Sequence, residues 1–231
     1  MKFKQKMQHA TFLRRYKRFL VDVKFSDGGE MTVHCPNTGS MRGCLTPGNR
    51  VCLSRSDNPK RKYVHTLEMI MVDKTWVGIN TYLTNHLVRE AMEKGLVREL
   101  GILDEIRSEV KVSDQSRLDF LVRRGQKKIY IEVKNCTLVE DGTAMFPDAV
   151  TERGRRHLQE LMALKQKGWG AALIFCVQRM DADRFRPAAE IDPLYSETLA
   201  AAAEAGVGVW AYQADVGPEQ IEIVRSLPVK L

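Results

Sequence analysis

Ser116-Arg117-Leu118-Asp119-Phe120-Leu121-Val122-Arg123 and Lys128-Ile129-Tyr130-Ile131-Glu132-Val133-Lys134 are two strand-forming runs separated by Arg124-Gly125-Gln126-Lys127. Gly125-Gln126 suits a two-residue type II′ hairpin turn, which takes Gly at its first central position. The turn pairs Arg124 with Lys127, and the register then opposes Phe120 to Ile131, Val122 to Ile129 and Leu118 to Val133. One side of this hairpin is wholly apolar. The other sets Asp119 directly opposite Glu132, with Lys134 next along that face. A slip of one residue would scramble the apolar side, so the pattern itself supports the pairing.

Carboxylates opposed across two strands repel unless something positive lies between them. A hard divalent cation, Mg²⁺ or Mn²⁺, meets that need with oxygen ligands, and water or phosphate fills its remaining positions. The ammonium of Lys134 stands beside such an ion. The trio would orient an attacking water and offset charge on a pentavalent phosphate. E-x-K alternation alone is common on solvated strand faces. The opposed Asp119 and the apolar reverse face are what point to a metal.

Outward from the hairpin, the C-terminal part of the chain predicts a mixed sheet flanked by helices. Leu83, Leu87, Val88, Ala91 and Met92 mark one face of a helix over 81–95 that stops at Gly95. Strand-like segments follow at Ile106–Val112, Arg117–Arg123 and Lys127–Asn135. Asp141–Val150 reads as a loop, Thr151–Lys167 as a helix and Gly170–Val177 as a strand buried on both faces. A helix over Asp192–Ala205 and a strand over Val207–Tyr212 complete the α/β order.

The first eighty residues read differently. Phe19, Val21, Val23 and Phe25 alternate with polar residues, and Asp27-Gly28-Gly29 turns the chain into Met31–Cys35. Asn49–Ser54, Tyr63–Val72 and Thr75–Ile79 complete five strands. Such a set suits a small, partly open barrel of the OB type, and an SH3-like barrel fits too. The expected division is therefore 1–80 and 81–231.

Charge divides at the same place. The 231 residues carry a net +7, but residues 1–80 hold 15 Lys and Arg against 6 Asp and Glu. The remainder holds 21 against 23 and is nearly neutral. Seven cations and no acid lie within Met1–Leu20, among them Arg14, Arg15, Lys17 and Arg18, with Phe12, Tyr16 and Phe19 interleaved. A second group is Arg55 with Lys60, Arg61 and Lys62. We read the charges as a grip on DNA phosphates without base readout, and the aromatics Phe12 and Phe19 as core. Arg153, Arg155 and Arg156 begin a helix, where they oppose its dipole; phosphate contact explains that placement.

Other classes drop out. The longest apolar run, Ala171–Val177, is far short of a membrane span, and no signal-peptide core follows the basic N-terminus. A cytoplasmic location is expected. Five cysteines with no C-x-x-C pair read as small buried residues in a reducing compartment.

Asp119 with Glu132-Val133-Lys134, on consecutive strands between helices, resembles the PD-(D/E)XK nuclease-like superfamily. The whole chain resembles the bacterial sugar fermentation stimulation protein A family. The likeness is carried by His34–Gly39, Ser116–Phe120, Tyr130–Lys134, Phe146–Leu158 and Ser226–Val229. It implies an N-terminal OB-like domain, a nuclease-like C-terminal domain, sequence-non-specific DNA binding and a role in maltose or sugar catabolism. Carried over by residue, Asp119 and Glu132 resemble the metal ligands and Lys134 the water-orienting lysine. Glu90 is the candidate for a third acidic ligand, ahead of Glu93 and Glu109. Leu118 stands where the superfamily usually has proline. The expectation is a DNA-binding protein with an intact metal site, or alternatively an active Mg²⁺-dependent DNA endonuclease whose link to sugars is indirect.

Overall fold

Alternating apolar residues in the first third curl into a barrel because each strand has only one face to bury. The computed structural model describes residues 1–112 and 116–231. Its first six strands are β1 (Gln8–Tyr16), β2 (Leu20–Lys24), β3 (Glu30–His34), β4 (Arg50–Arg55), β5 (His65–Val72) and β6 (Thr75–Gly78). They lie in the order β3-β2-β1-β4-β5-β6, and a parallel bridge from His34 to Thr66 closes β3 on β5. The closed circuit β1-β2-β3-β5-β4 is the OB barrel, with β6 as a hairpin extension of β5.

Phe12, Val21, Val23, Val33, Val51, Leu53, Leu67 and Ile70 fill its interior. The strand missed by periodicity is β1. Its pairing with β2 shifts register between Phe12 and Arg14, and a bulge of this kind breaks the alternation a strand would otherwise show. Phe12 is core as expected, whereas Phe19 is 44% exposed, because the tight turn Lys17–Phe19 carries it outside the barrel.

Beyond a single 3₁₀ turn at Thr81–Leu83 come α1 (Thr84–Glu93), β7 (Glu105–Lys111), β8 (Arg117–Arg124) and β9 (Lys127–Cys136). Next are β10 (Leu138–Glu140), β11 (Thr143–Phe146), α2 (Glu152–Gln166), β12 (Gly170–Val177) and β13 (Arg184–Pro187). The chain ends with α3 (Pro193–Glu204), β14 (Gly208–Val216) and β15 (Ile221–Leu227). The main sheet runs β15-β14-β12-β9-β8-β7, with β9, β12 and β14 parallel and the outer strands antiparallel.

Strand β12 is apolar throughout because both its faces are covered. Ala172, Ile174 and Cys176 pack with Leu87, Val88 and Met92 of α1, while Leu173, Phe175 and Val177 pack under α2 and α3. The stretch 141–150 is not all loop: β11 pairs with β10 and β13 in a small second sheet. Thr151 caps α2 through Gly154 N–H, and Asp192 caps α3 through Tyr195 N–H and accepts the Thr151 N–H as well. All five cysteines are free and buried, and among the described residues no helix is long and apolar enough to cross a membrane.

The barrel and the sheet share a core. Cys52 and Met69, on the outer face of the barrel, pack into the α1 cluster. At the seam, Gly78 N–H donates to the Gln178 carbonyl, Thr81 Oγ1 to the Pro36 carbonyl, and Ser40 Oγ to the Asp148 carbonyl. Met41 N–H also donates to Asp148 Oδ2.

Candidate metal centre and nucleic-acid interface

The hairpin holds the expected register from Phe120–Ile131 to Arg124–Lys127, and there the ladder stops. From Asp119 on, β8 stays paired with β7 but separates from β9, whose other edge remains on β12. Leu118 consequently packs with the α2 core and not against Phe120 and Val122, which corrects the wholly apolar face expected from alternation. The divergence opens a crevice lined by Thr84, Asn85, Asp119, Glu132, Lys134 and His157.

Each carboxylate is held differently. Asp119 Oδ2 accepts the Val133 N–H at 2.7 Å, and its Oδ1 accepts Asn85 Nδ2 at 2.7 Å. Burial, and then the nearby negative charge of Glu132, push the Asp119 carboxyl up to about 6. Burial acts in the same sense on Glu132, which is 3% exposed. Its His157 hydrogen bond and the Lys134 charge outweigh that effect and hold the carboxyl below its usual value. Lys134 Nζ lies 2.5 Å from Glu132 Oε1 and 3.1 Å from His157 Nδ1. Glu132 Oε2, by contrast, is buried with no hydrogen-bond partner.

That orphaned oxygen beside a half-buried carboxylate is the observation by which a metal can be judged. A buried acceptor without a donor is costly, and a cation satisfies it. Among the described residues no group of three or more His, Cys, Asp and Glu side chains could hold an ion by itself. Two carboxylates with water still fit Mg²⁺, which commonly keeps several waters and takes one or two carboxylates. The residues present therefore fit a hard divalent ion.

The structure does not bring Glu90, the candidate for a third acidic ligand, into the crevice. Its carboxylate is 2.7 Å from the Met1 amine and 2.8 Å from Lys94 Nζ, and it stands outside the crevice. The i,i+4 spacing to Lys94 and the N-terminal segment, whose Met1 bonds Ile221 at the start of β15 and whose Phe3 N–H donates to the Glu219 carbonyl just before it, draw it the other way. Glu93 is paired with Arg89. Glu109 occupies the β7 position across from Asp119 with φ +55°, a left-handed conformation in which the 109–119 pair drops out of the ladder, and its side chain is exposed.

The basic residues separate into two kinds. Arg15 spends its guanidinium on four backbone carbonyls, those of Arg18, Asn37, Gly39 and Ser40. Arg155 is tied to Asp192, Arg14 to Asp22, and Arg61 donates to Thr66 Oγ1. Lys17, Arg18, Arg55, Lys60, Lys62, Arg153 and Arg156 are exposed. Of these, Arg153 lines the crevice, and Arg18 lines a neighbouring cavity between the domains.

Three residues of the site stand outside the catalytic, metal and nucleic-acid candidates read from the sequence. His157 sits on the buried stripe of α2 with Leu161 and Leu164, and a polar residue on such a stripe is the signal that marks it. Asn85 is an unremarkable helix residue until β8 diverges. Gln178, fully buried, donates to both Thr84 Oγ1 and Asn135 Oδ1 and so joins α1 to the end of β9.

Residues 13–79 match the family model described as SfsA N-terminal OB domain, and residues 82–220 match that of the sugar fermentation stimulation protein RE domain. A sugar fermentation stimulation protein homolog from Desulfotalea psychrophila is 51% identical over 231 residues, covering all of this chain and 95% of the relative. One from Thioalkalivibrio sulfidiphilus is 52% identical over 233 residues, covering 100% and 98%. The solved structure of Pyrococcus furiosus SfsA in complex with Ca²⁺ aligns with a TM-score of 0.91 at 28% identity, covering 100% of this chain and 98% of that one. With both domains matched in order and half of all positions shared, the chain belongs to the sugar fermentation stimulation protein (SfsA) family.

Proposed function

We propose that this protein binds DNA without sequence preference and hydrolyses its phosphodiester bonds with the help of a divalent metal. The observation that carries the reading is the buried, partnerless Glu132 Oε2, on a side chain that lines the same crevice as Asp119 and Lys134. The Ca²⁺ complex of the Pyrococcus furiosus relative supports a hard-cation site in this architecture. Mg²⁺ or Mn²⁺ would be held by Asp119 and Glu132 and would polarise a phosphate oxygen and lower the pKa of water.

The chain's own groups do the rest. Val133 N–H and Asn85 fix the Asp119 carboxylate, so its oxygens reorganise little during reaction. Lys134 places a fixed ammonium in a largely buried site, where it offsets charge that builds on the phosphate oxygens. His157 holds Glu132 from the α2 side. Arg153, at the rim, meets a flanking phosphate. With a cation held by the two carboxylates, Lys134 and Arg153 would turn the balance of charge in the crevice toward an anionic phosphate. On this reading the family's connection with sugar fermentation is indirect and runs through nucleic acid.

The test is cleavage of single-stranded, duplex and branched DNA in Mg²⁺ and in Mn²⁺. Asp119→Ala, Glu132→Ala and Lys134→Ala each lower the rate by about a hundredfold or more. Failure to cleave any of these forms in either metal overturns the enzymatic reading. Unchanged DNA binding in that case leaves a binding protein.

A further inference from the structure

Resting on the nucleic-acid reading above, we infer that the cleft between the barrel and the sheet is a seat for single-stranded DNA, which takes one unstacked nucleotide next to the scissile phosphate. The cleft holds a cavity of about 510 Å³ with walls from both domains: Thr38 and Ser40 on one side, Asn135, Thr137, Phe146 and Val150 on the other. It shares Thr81 and Asn135 with the Asp119–Glu132 crevice, so a chain lying in one continues into the other. Its volume lies within the range of pockets that enclose a small organic ligand.

The lining has the chemistry of a base and not of a phosphate alone. Hydroxyl and amide groups stand beside the apolar faces of Phe146 and Val150, the mixture that reads a base edge and covers its ring. Asn135 is pre-set: Gln178 occupies its Oδ1 and leaves its NH₂ group as the donor. Arg15 fixes the loop 37–40 through three of its carbonyls, and Ser40 and Met41 lock that loop onto Asp148. The cavity is therefore formed before ligand arrives.

Two exposed aromatics follow cavity-lining residues in the chain. Only three Phe, Tyr or Trp side chains are exposed among the described residues: Phe19, Tyr82 and Trp169. Phe19 follows Arg18 and Tyr82 follows Thr81, both of which line the cavity; Tyr82 is 70% exposed. Aromatic faces next to cations are the platform on which unpaired bases stack. A base within a duplex is already stacked and paired, and it cannot enter such a cavity without being extruded.

The full chain is tested by fluorescence anisotropy in EDTA, where no cleavage intervenes. The probes are a labelled single strand of about a dozen nucleotides and the blunt duplex of the same sequence. The single strand binds at least about fivefold more tightly, and filling the cavity with Thr38→Trp or Val150→Trp, both exposed positions, removes that preference. Both variants keep the wild-type melting temperature and its shift on adding Ca²⁺, which separates lost binding from lost fold. Equal affinity for the two probes, or a preference that survives both fillings, overturns the inference while leaving metal-dependent cleavage intact. Failure of both probes to bind overturns the nucleic-acid reading together with it.

Discussion

The Val133 N–H donates to Asp119 Oδ2 at 2.7 Å, at the point where β8 leaves β9. A side chain thus takes the hydrogen bond that a continuing ladder would have supplied, and the strand edge stays satisfied while a crevice opens. The same contact binds an acidic residue into a half-buried position near a second carboxylate, where its charge is costly.

Asp119→Asn is therefore expected to stabilise the metal-free protein above pH 6. Asp119 has a folded value of about 6 against an ordinary 3.8, so the folded state binds more protons than the unfolded state between those limits. Its contribution is favourable in acid and is lost as pH rises through 6, an effect of about 1–3 kcal/mol. Asparagine retains an oxygen for Val133 and removes the charge. Thermal unfolding at pH 5 and pH 8 checks this: the variant's gain over wild type at pH 8 is roughly twice its gain at pH 5, and Ca²⁺ raises the melting temperature of the wild type only.

His157 bonds Glu132, and on the proposed reading it is expected to set the acid limb of cleavage. Its hydrogen bond is the foremost influence opposing burial at the Glu132 carboxyl. In His157→Ala the carboxyl rises, so the acid limb of the cleavage–pH profile moves to higher pH. His157→Gln, which still offers an N–H, restores some of the shift. A loss of rate that is uniform across pH would show that His157 only packs.

Much of this is legible in the residues, and the failures have physical causes. The register that the Gly125 turn sets holds as far as Phe120–Ile131 because the apolar side of the hairpin pins it. The same pattern cannot reveal that the two strands diverge at the very next residue, so alternation puts Leu118 on the wrong face. β1 escapes periodicity because its bulge erases the alternation, and the small sheet of β10, β11 and β13 because strands of three or four residues have no period to read. Glu90 looks suitable on helix spacing alone. Its true partner is the chain's first amine, which only tertiary structure brings near.

The seam between the domains depends on Gly78. A Cβ there would collide with Gln178 Oε1 and stand 3.0 Å from Gln178 Cβ, so Gly78→Ala must displace the side chain that holds Thr84 and Asn135. The expected cost is about 1–3 kcal/mol in denaturant unfolding, with weakened single-strand binding through the loosened Asn135. Gln178→Ala in the same background tests the linkage. If Gln178 is the only group in the way, the double variant loses less stability than the two single changes added together.

Arg15 and Arg18 lie three residues apart in a basic run yet predict opposite phenotypes. Arg15 donates four of the five N–H groups of a guanidinium to carbonyls and so is largely committed to the loop; Arg15→Ala loosens 37–40 and lowers stability by about 2 kcal/mol. Arg18 is exposed, sits in a left-handed turn at φ +63° and lines the cleft. Arg18→Ala leaves unfolding unchanged but reduces the slope of log affinity against log salt by about 0.7 for a single strand, the share of one phosphate contact. Anisotropy titrations over a range of NaCl, set beside melts of both variants, decide the matter. A salt slope that falls for Arg15→Ala and holds for Arg18→Ala would reverse the assignment and place the phosphate on the loop side of the cleft.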